Sequence, residues 1–510
     1  MQLRRSVAPA LLAAGSLALC SPPLLAQSPT ATEEALRQRI DDLEQKLRRL
    51  EERLEQQARQ QAPQPPTPPA SPGASEPTPR EQALQQHVEE IDQQVKIIGR
   101  KQELEREAAQ AKAMETPSVF AGREGIGLKS ADGSMQLKFG AHLQVDSRWY
   151  ANTPGPTDQH DGFLLRRVRP IMEGTLYDKV GFRLMPDFAG GTTQLLDAYI
   201  DANLDPRLRI RAGKFKGPVG LELLQYDADY LFVERGFPTQ LVPNRDVGVQ
   251  LWGNLFAGTL TYQVGVFDGT VDGASLDSDN NNGKDFAARL FAQPFRNTEI
   301  APLRGLGLGL AYTSGNQIGS ATTANLPRYL TPGQNTFFTY ATGAYADGSR
   351  NRCVPQLYYS WGALGLLGEY AVTRQAITRG SNHREFANSA WELTATYVLT
   401  GEDASYTGVI PRHTFAPSKG DWGAFEIVAR AGTLDVDEDA FVGTSATRLA
   451  DPATQARRAK DYGIGLNWYL SRIYRVTVDY VQTTFTGGTP NGGNRPDEKV
   501  LFTRFQFALY

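Results

Sequence analysis

Cysteine is nearly absent from this chain, with two in 510 residues, Cys20 and Cys353. That excludes a disulfide framework and any cysteine-built metal centre. Histidine is also scarce. His87, His142, His160, His383 and His413 are scattered, and none pairs with another at metal-ligand spacing. No cofactor or metal is expected. An excess of one charge sign is lacking too. There are 53 Lys and Arg against 56 Asp and Glu, a net charge of −3, so nothing argues for a nucleic-acid partner. No apolar run after the first 26 residues is long enough to cross a membrane as a helix. No serine near a histidine sits in a recognisable nucleophile motif, so an enzyme is not expected.

What the chain does have begins with an export signal at residues 1–26. Arg4 and Arg5 precede the apolar stretch Val7–Leu19, Pro22 and Pro23 break it, and Ala26 suits the last residue before cleavage. Cys20 as a lipidation site is the weaker alternative, because bulky Leu19 precedes it. Residues 31–60 carry Leu36, Ile40, Leu43, Leu47, Leu50 and Leu54 in a four-three rhythm. That is a heptad seam, which needs a partner helix to bury it. Residues 61–80 are rich in Pro, an extended linker. Residues 81–113 repeat the seam with Leu84, Val88, Ile91, Val95 and Ile98. The two helices form a periplasmic coiled coil in this reading, with a possible periplasmic partner.

Residues 118–510 read differently. Short segments alternate apolar and polar residues, separated by turn residues. Ile464, Leu466 and Trp468 share one face, and Asp461, Gly463, Gly465 and Asn467 the other. Strand side chains alternate with period two, so each segment has an apolar side and a wet side. Mean hydropathy is only −0.40, as befits a barrel that hides its apolar residues in alternation. Sixteen such segments, from 134–149 and 163–176 through 472–486 and 498–510, predict an all-β transmembrane antiparallel barrel of the Gram-negative outer membrane. Short periplasmic turns and long outer loops are expected, with two exceptions on the periplasmic side, a connection of middling length at 294–304 and a long one at 401–420. Cys353, at the start of a strand 353–361, is expected free and near an external loop.

Several stretches together resemble the phosphate-selective porin O/P family. They are Phe163–Arg169 (FLLRRVR), Phe182–Phe188 (FRLMPDF), Asp197–Asp201 (DAYID), Gly213–Glu222 (GKFKGPVGLE), Phe232–Arg235 (FVER), Arg245–Leu251 (RDVGVQL), Leu399–Glu402 (LTGE) and Gly420–Arg430 (GDWGAFEIVAR). The resemblance implies a homotrimer of sixteen-stranded barrels in outer-membrane lipid and lipopolysaccharide. Each would have its own pore for phosphate or other small anions and an inward-folded third loop.

Alternation picks out the pore residues. Arg167 and Arg169 lie opposite Val168 and Met172, Arg183 opposite Phe182 and Leu184, and Arg209 and Arg211 opposite Leu208 and Ile210. An arginine facing lipid costs about 2–4 kcal/mol near the midplane, so these five belong to the lumen. Their planar donors suit oxyanions, and a row of them makes an anion path. Arg166 falls on the wrong face unless a bulge turns it. Lys214 and Lys216 near the strand end are further pore candidates. The third loop carries Glu222, Asp227, Asp229, Glu234 and Arg235 as constriction residues, an acidic set expected to limit selectivity. The alternatives are a general or weakly anion-selective porin, and a structural barrel that tethers the envelope.

Overall fold

A computed structural model describes residues 79–122, 125–151, 160–278 and 281–509, with the single positions Gln45, Arg49 and Glu52. The signal segment, the first heptad seam and nearly all of the Pro-rich linker lie outside the described residues. A long helix, α1 (Pro79–Glu115), carries the second seam. Leu84, Val88, Ile91, Val95 and Ile98 are all exposed on it.

Two short strands, β1 (Ser118–Gly122) and β2 (Gly125–Lys129), form a hairpin. The first nine barrel strands are β3 (Gln136–Tyr150), β4 (Gly162–Leu176), β5 (Val180–Asp187), β6 (Gln194–Asp205), β7 (Leu208–Lys216), β8 (Arg245–Leu255), β9 (Leu260–Phe267), β10 (Asp285–Ala292) and β11 (Gly307–Ile318). A small inner hairpin follows, β12 (Arg328–Leu330) and β13 (Thr336–Thr339). The barrel resumes with β14 (Tyr345–Trp361), β15 (Leu364–Arg379), β16 (Asn382–Val398), β17 (Ala424–Asp435), β18 (Ala456–Tyr469), β19 (Tyr474–Gly487) and β20 (Glu498–Leu509). Each barrel strand pairs antiparallel with the next. β20 returns to β3 from Val500↔Tyr150 to Leu509↔Ala141. Sixteen strands close without an edge, the arrangement that satisfies backbone groups in lipid. β2 continues the sheet on β3 at Gln136–Phe139, just beyond the end of β20.

The alternation expected from the sequence is physical. Phe163, Leu165, Ile200, Leu290, Ile464 and Phe505 are exposed on the outside, while Arg167, Asp461, Asn467 and Arg504 are buried inside. Connections are tight at the end where the chain enters the barrel, here the N-terminal end. Tyr177 and Asp178 both take positive φ, 52° and 54°, the conformation of the two-residue turn whose twist matches a hairpin. Connections at the far end are mostly long. The exceptions are real features: residues 293–306 and 399–423 are long at the N-terminal end, and residues 380–381 are tight at the far end.

Cys353 departs from expectation. It is exposed, but within β14, paired with Tyr312 and Val372 on the outer face. The strand begins at Tyr345, earlier than its Asp347-Gly-Ser-Arg350 composition suggests. Residues 347–349 fall within a register shift between Ala346 and Arg350, and Arg350 beyond it is buried in the interior.

Far-end connections fold inward, among them residues 217–244, 319–344 and 436–455. In the third far-end connection, residues 217–244, Val219, Leu223, Phe237 and Leu241 are buried against Tyr329, Phe337 and Phe338 of the β12–β13 hairpin. Each such side chain contributes about 1.5–3 kcal/mol on burial, so both segments are packed elements of the lumen. Phe232 lies over Gly463 of β18, where a Cβ would meet its ring at 2.7 Å.

Candidate functional site

The third connection divides the lumen chemically. On one side its backbone N–H groups cap carboxylates of the barrel wall. Leu221 and Glu222 donate to Glu369 at 2.6 and 3.2 Å, and Val233 donates to Asp479 at 2.5 Å. Gly236 donates to Glu222 at 2.8 Å within the connection, and Arg430 donates to the Glu234 carbonyl at 2.8 Å. Glu392 of β16 is buried beside Gly236, with no hydrogen-bond partner on either oxygen among the described residues. These acids hold the connection and lie behind it.

The other side is basic. A cavity of about 540 Å³ lies between the third connection and the wall formed by β4 and its neighbours, and seven arginines line it against three carboxylates. Arg167 and Arg169 are there, buried and pointing inward. Arg166 is there too. It is the extra residue where pairing slips from Gln144↔Arg167 to Val145↔Leu165, and that bulge turns it inward. Its Nε lies 2.6 Å from Glu234. Arg235 completes the predicted set at this cavity, with Arg148, Arg245 and Arg328 added.

Asp227 is the hub. It accepts from Arg169, from Lys216 at 2.6 Å and from Tyr230 at 2.7 Å, with Arg167 and Arg245 at 3.4 and 3.8 Å. Burial alone would raise its carboxyl. Lys216, Arg169, Arg245 and Arg167 outweigh that and hold it well below the usual carboxylate range. Glu234 behaves alike: burial is overcome by Arg166, Arg148 and Arg504, so it stays ionised. Glu222 faces the acidic side, where burial outweighs Arg430 and pushes its carboxyl up. The acidic residues of this connection therefore divide. Asp227 and Glu234 clamp arginines, Glu222 braces Gly236, and Asp229 lies on a separate cavity of about 440 Å³.

The basic side continues toward the N-terminal end. Arg245 is shared with a pocket of about 180 Å³ lined by Arg183, Arg211 and Lys216. That pocket shares Leu224 and Gln263 with a wider cavity of about 950 Å³ at the N-terminal mouth. Arg183 is held by Glu173 at 3.1 Å, and Arg211 by Asp201 at 2.7 and 2.8 Å. Arg209 lies over the ring of Trp252, 4.5 Å from its centroid.

The family model for phosphate-selective porin O and P matches residues 137–509. This chain belongs to that family. It is an outer-membrane anion channel, and its family and fold are those of a channel rather than an enzyme. Its relatives include Porin O of Pseudomonas aeruginosa, 21% identical over 423 residues, covering 77% of this chain and 92% of that protein. Among solved structures it is similar to an anion-selective porin from Comamonas acidovorans (TM-score 0.45, 12% identity, 74% of this chain and 99% of that one). It is also similar to the outer-membrane channel DcaP of Acinetobacter baumannii (TM-score 0.45, 10% identity, 75% and 99%).

Not every sequence-derived pore residue of the porin joins these cavities. Lys214 is buried against Asp277 of the connection after β9 and lines none of them. Its phase is outward, with exposed Ala212, and that connection covers it. Alternation missed Arg148 and Arg245. Arg148 was recoverable from the phase of β3. Arg245 was not, because it is the first residue of β8, where the chain returns from the third connection and phase no longer dictates direction.

Proposed function

We propose that phosphate or polyphosphate, with other small anions, passes through this porin along the basic side of the third connection. The route runs past Arg166, Arg167 and Arg169, then past Arg245 and Lys216 to Arg183 and Arg211, with Arg209 at its N-terminal end. The supporting observation is the excess of arginines over carboxylates around the 540 Å³ cavity. Guanidinium forks offer paired donors to oxyanions. Many are already engaged by Asp187, Asp201 and Asp227, so each binds a passing anion weakly enough to release it. The general-porin reading draws on those same ion pairs, which lower the net field. The proposal places the N-terminal end in the periplasm after cleavage of the signal peptide, and the outward apolar face in outer-membrane lipid below lipopolysaccharide.

A homotrimer fits the exposed seam on α1, which copies of the chain would bury in a parallel coiled coil; a separate periplasmic partner would bury the same seam. The test is chloride current through single porins in a planar bilayer, with inorganic phosphate titrated in. Phosphate should block at lower concentration than sulfate. Arg167→Ala and Arg169→Ala should each raise the half-blocking concentration about ten-fold, the loss of one charge-assisted contact. Equal block by both anions, unchanged in the variants, would leave a general porin.

A further inference from the structure

Nine arginines of the barrel strands are buried, and seven of them have a carboxylate within ion-pairing distance. Arg289 and Arg475 do not, among the described residues. Both line cavities at the N-terminal mouth, on either side of the inward segment of the connection 399–423. That segment is fixed by Tyr406, which donates to the Leu221 carbonyl at 2.5 Å and accepts from Gln225 at 2.8 Å through its own carbonyl. The N-terminal mouth is thus divided in two, and each half holds one buried arginine without a carboxylate in ion-pairing distance among the described residues.

The two halves differ in their walls. Around Arg475 stand Asp229 and Arg472. Around Arg289, in the cavity of about 950 Å³, stand Trp252, Phe291, Tyr358, Trp361 and Tyr406, with the less buried Arg296 and Arg304 and with Asp403 as the one lining carboxylate among the described residues. Arg289 Nε and Nη1 are oriented by the amide oxygens of Gln356 and Gln263 at 2.9 and 3.0 Å, and its guanidinium lies 4.9 Å from the Phe291 ring centroid. Neutral amides fix the fork without cancelling its charge. The nearby acid on β15, Glu369, spends its oxygens on the N–H groups of Leu221 and Glu222. The Trp252 indole N–H has no hydrogen-bond partner among the described residues. An oriented guanidinium with no ion-paired carboxylate among the described residues, set inside an aromatic wall, matches a carboxylate attached to a flat apolar body.

We propose that the Arg289 cavity is a second anion site of this porin, distinct from the arginine cavity at the far end, and that it takes arylcarboxylates. The inference uses the channel reading only for its electrical readout. Benzoate and acetate carry the same charge and differ in the ring, so their ratio isolates the aromatic wall. Chloride current is measured with each added at the N-terminal side, and benzoate binding to detergent-purified porin is measured by calorimetry. Benzoate should block and bind at about ten-fold lower concentration than acetate. Arg289→Gln should abolish that difference, and Trp252→Leu should shrink it mainly through benzoate. Arg475→Gln removes the same charge from the neighbouring half and should leave the ratio in place. Heat-shifted mobility on gels verifies that each variant is folded. Equal affinity for benzoate and acetate in the unaltered porin overturns the proposal. So does loss of the ratio in Arg475→Gln as large as in Arg289→Gln, which would mark a diffuse field. A chloride preference that survives either result leaves the anion channel standing.

Discussion

Replacing Asp227 by Asn removes one negative charge from the point where Arg167, Arg169, Arg245 and Lys216 converge. Two of these cations keep another carboxylate. Arg169 retains Asp187 at 2.7 Å, and Arg245 retains Asp197 at 2.8 Å. Among the described residues, Arg167 keeps the Gln144 amide oxygen, and Lys216 the Gln225 carbonyl and the Tyr230 hydroxyl. Removing one partner of a buried ion pair costs about 3–5 kcal/mol. The lower end applies here, because half of the cations stay paired and the Asn oxygen still accepts. The variant should show heat-shifted gel mobility at a lower temperature and faster thermolysin cleavage within residues 217–244. Its permeation should move the opposite way. One less negative charge on the cavity wall raises chloride preference in a salt gradient. A variant whose third connection stays as protease-resistant as before, with anion preference unchanged or lowered, would refute the clamp.

Other outcomes follow from the same geometry. Because its carboxyl is held low, Asp227 supports the fold fully above about pH 4 and loses that support only as pH falls through the depressed value. Glu222 runs the other way. Its raised carboxyl binds a proton in the folded porin that the unfolded chain has released, so its contribution weakens as pH rises above about 4.3. Glu222→Gln should accordingly match or exceed the parent's unfolding temperature at pH 7 and lose that advantage at pH 4; a lower temperature at pH 7 would contradict the reading. Gly236→Ala puts a Cβ 1.4 Å from Glu392 Oε2. It should destabilise by about 1–3 kcal/mol and make single-channel current noisier, whereas quiet current at the parental unfolding temperature would show that the connection has slack. Cys353 on the outer face of β14 should resist a membrane-impermeant maleimide on intact cells and react after denaturation, and rapid labelling of intact cells would place it elsewhere.

The barrel was legible because lipid and water impose opposite demands on alternate residues. Ile464 and Leu466 against Asp461 and Asn467 marked strand phase from alternation alone. The same rule put Arg167, Arg169, Arg183 and Arg211 on the inside. It failed where a strand ends or slips. Arg166 depends on a bulge that its own sequence does not announce, and Arg245 and Lys216 sit where the third connection leaves and returns. The acidic residues of that connection were visible, but their targets were not. Nothing local to Asp227 says that four cations converge on it, or that Glu222 faces away from them. Those partners are 11–60 residues distant and meet only because a closed barrel brings β4, β7 and β8 around one inward loop. The inward path of residues 399–423 was equally hidden, since its role arises from contacts with Leu221 and Gln225.

The central claim is that anions cross beside the arginines of β4, β5 and β7. Reversal potential in a potassium chloride gradient tests it most directly, comparing the parent porin with Arg167→Ala, Arg169→Ala, Arg183→Ala and Arg211→Ala one at a time. The account predicts chloride preference in the parent and a shift toward potassium in each variant, because each removes a fixed positive charge from a confined lumen where water screens poorly. Four variants that keep the parental reversal potential would mean that these arginines only brace the barrel and that anions cross elsewhere.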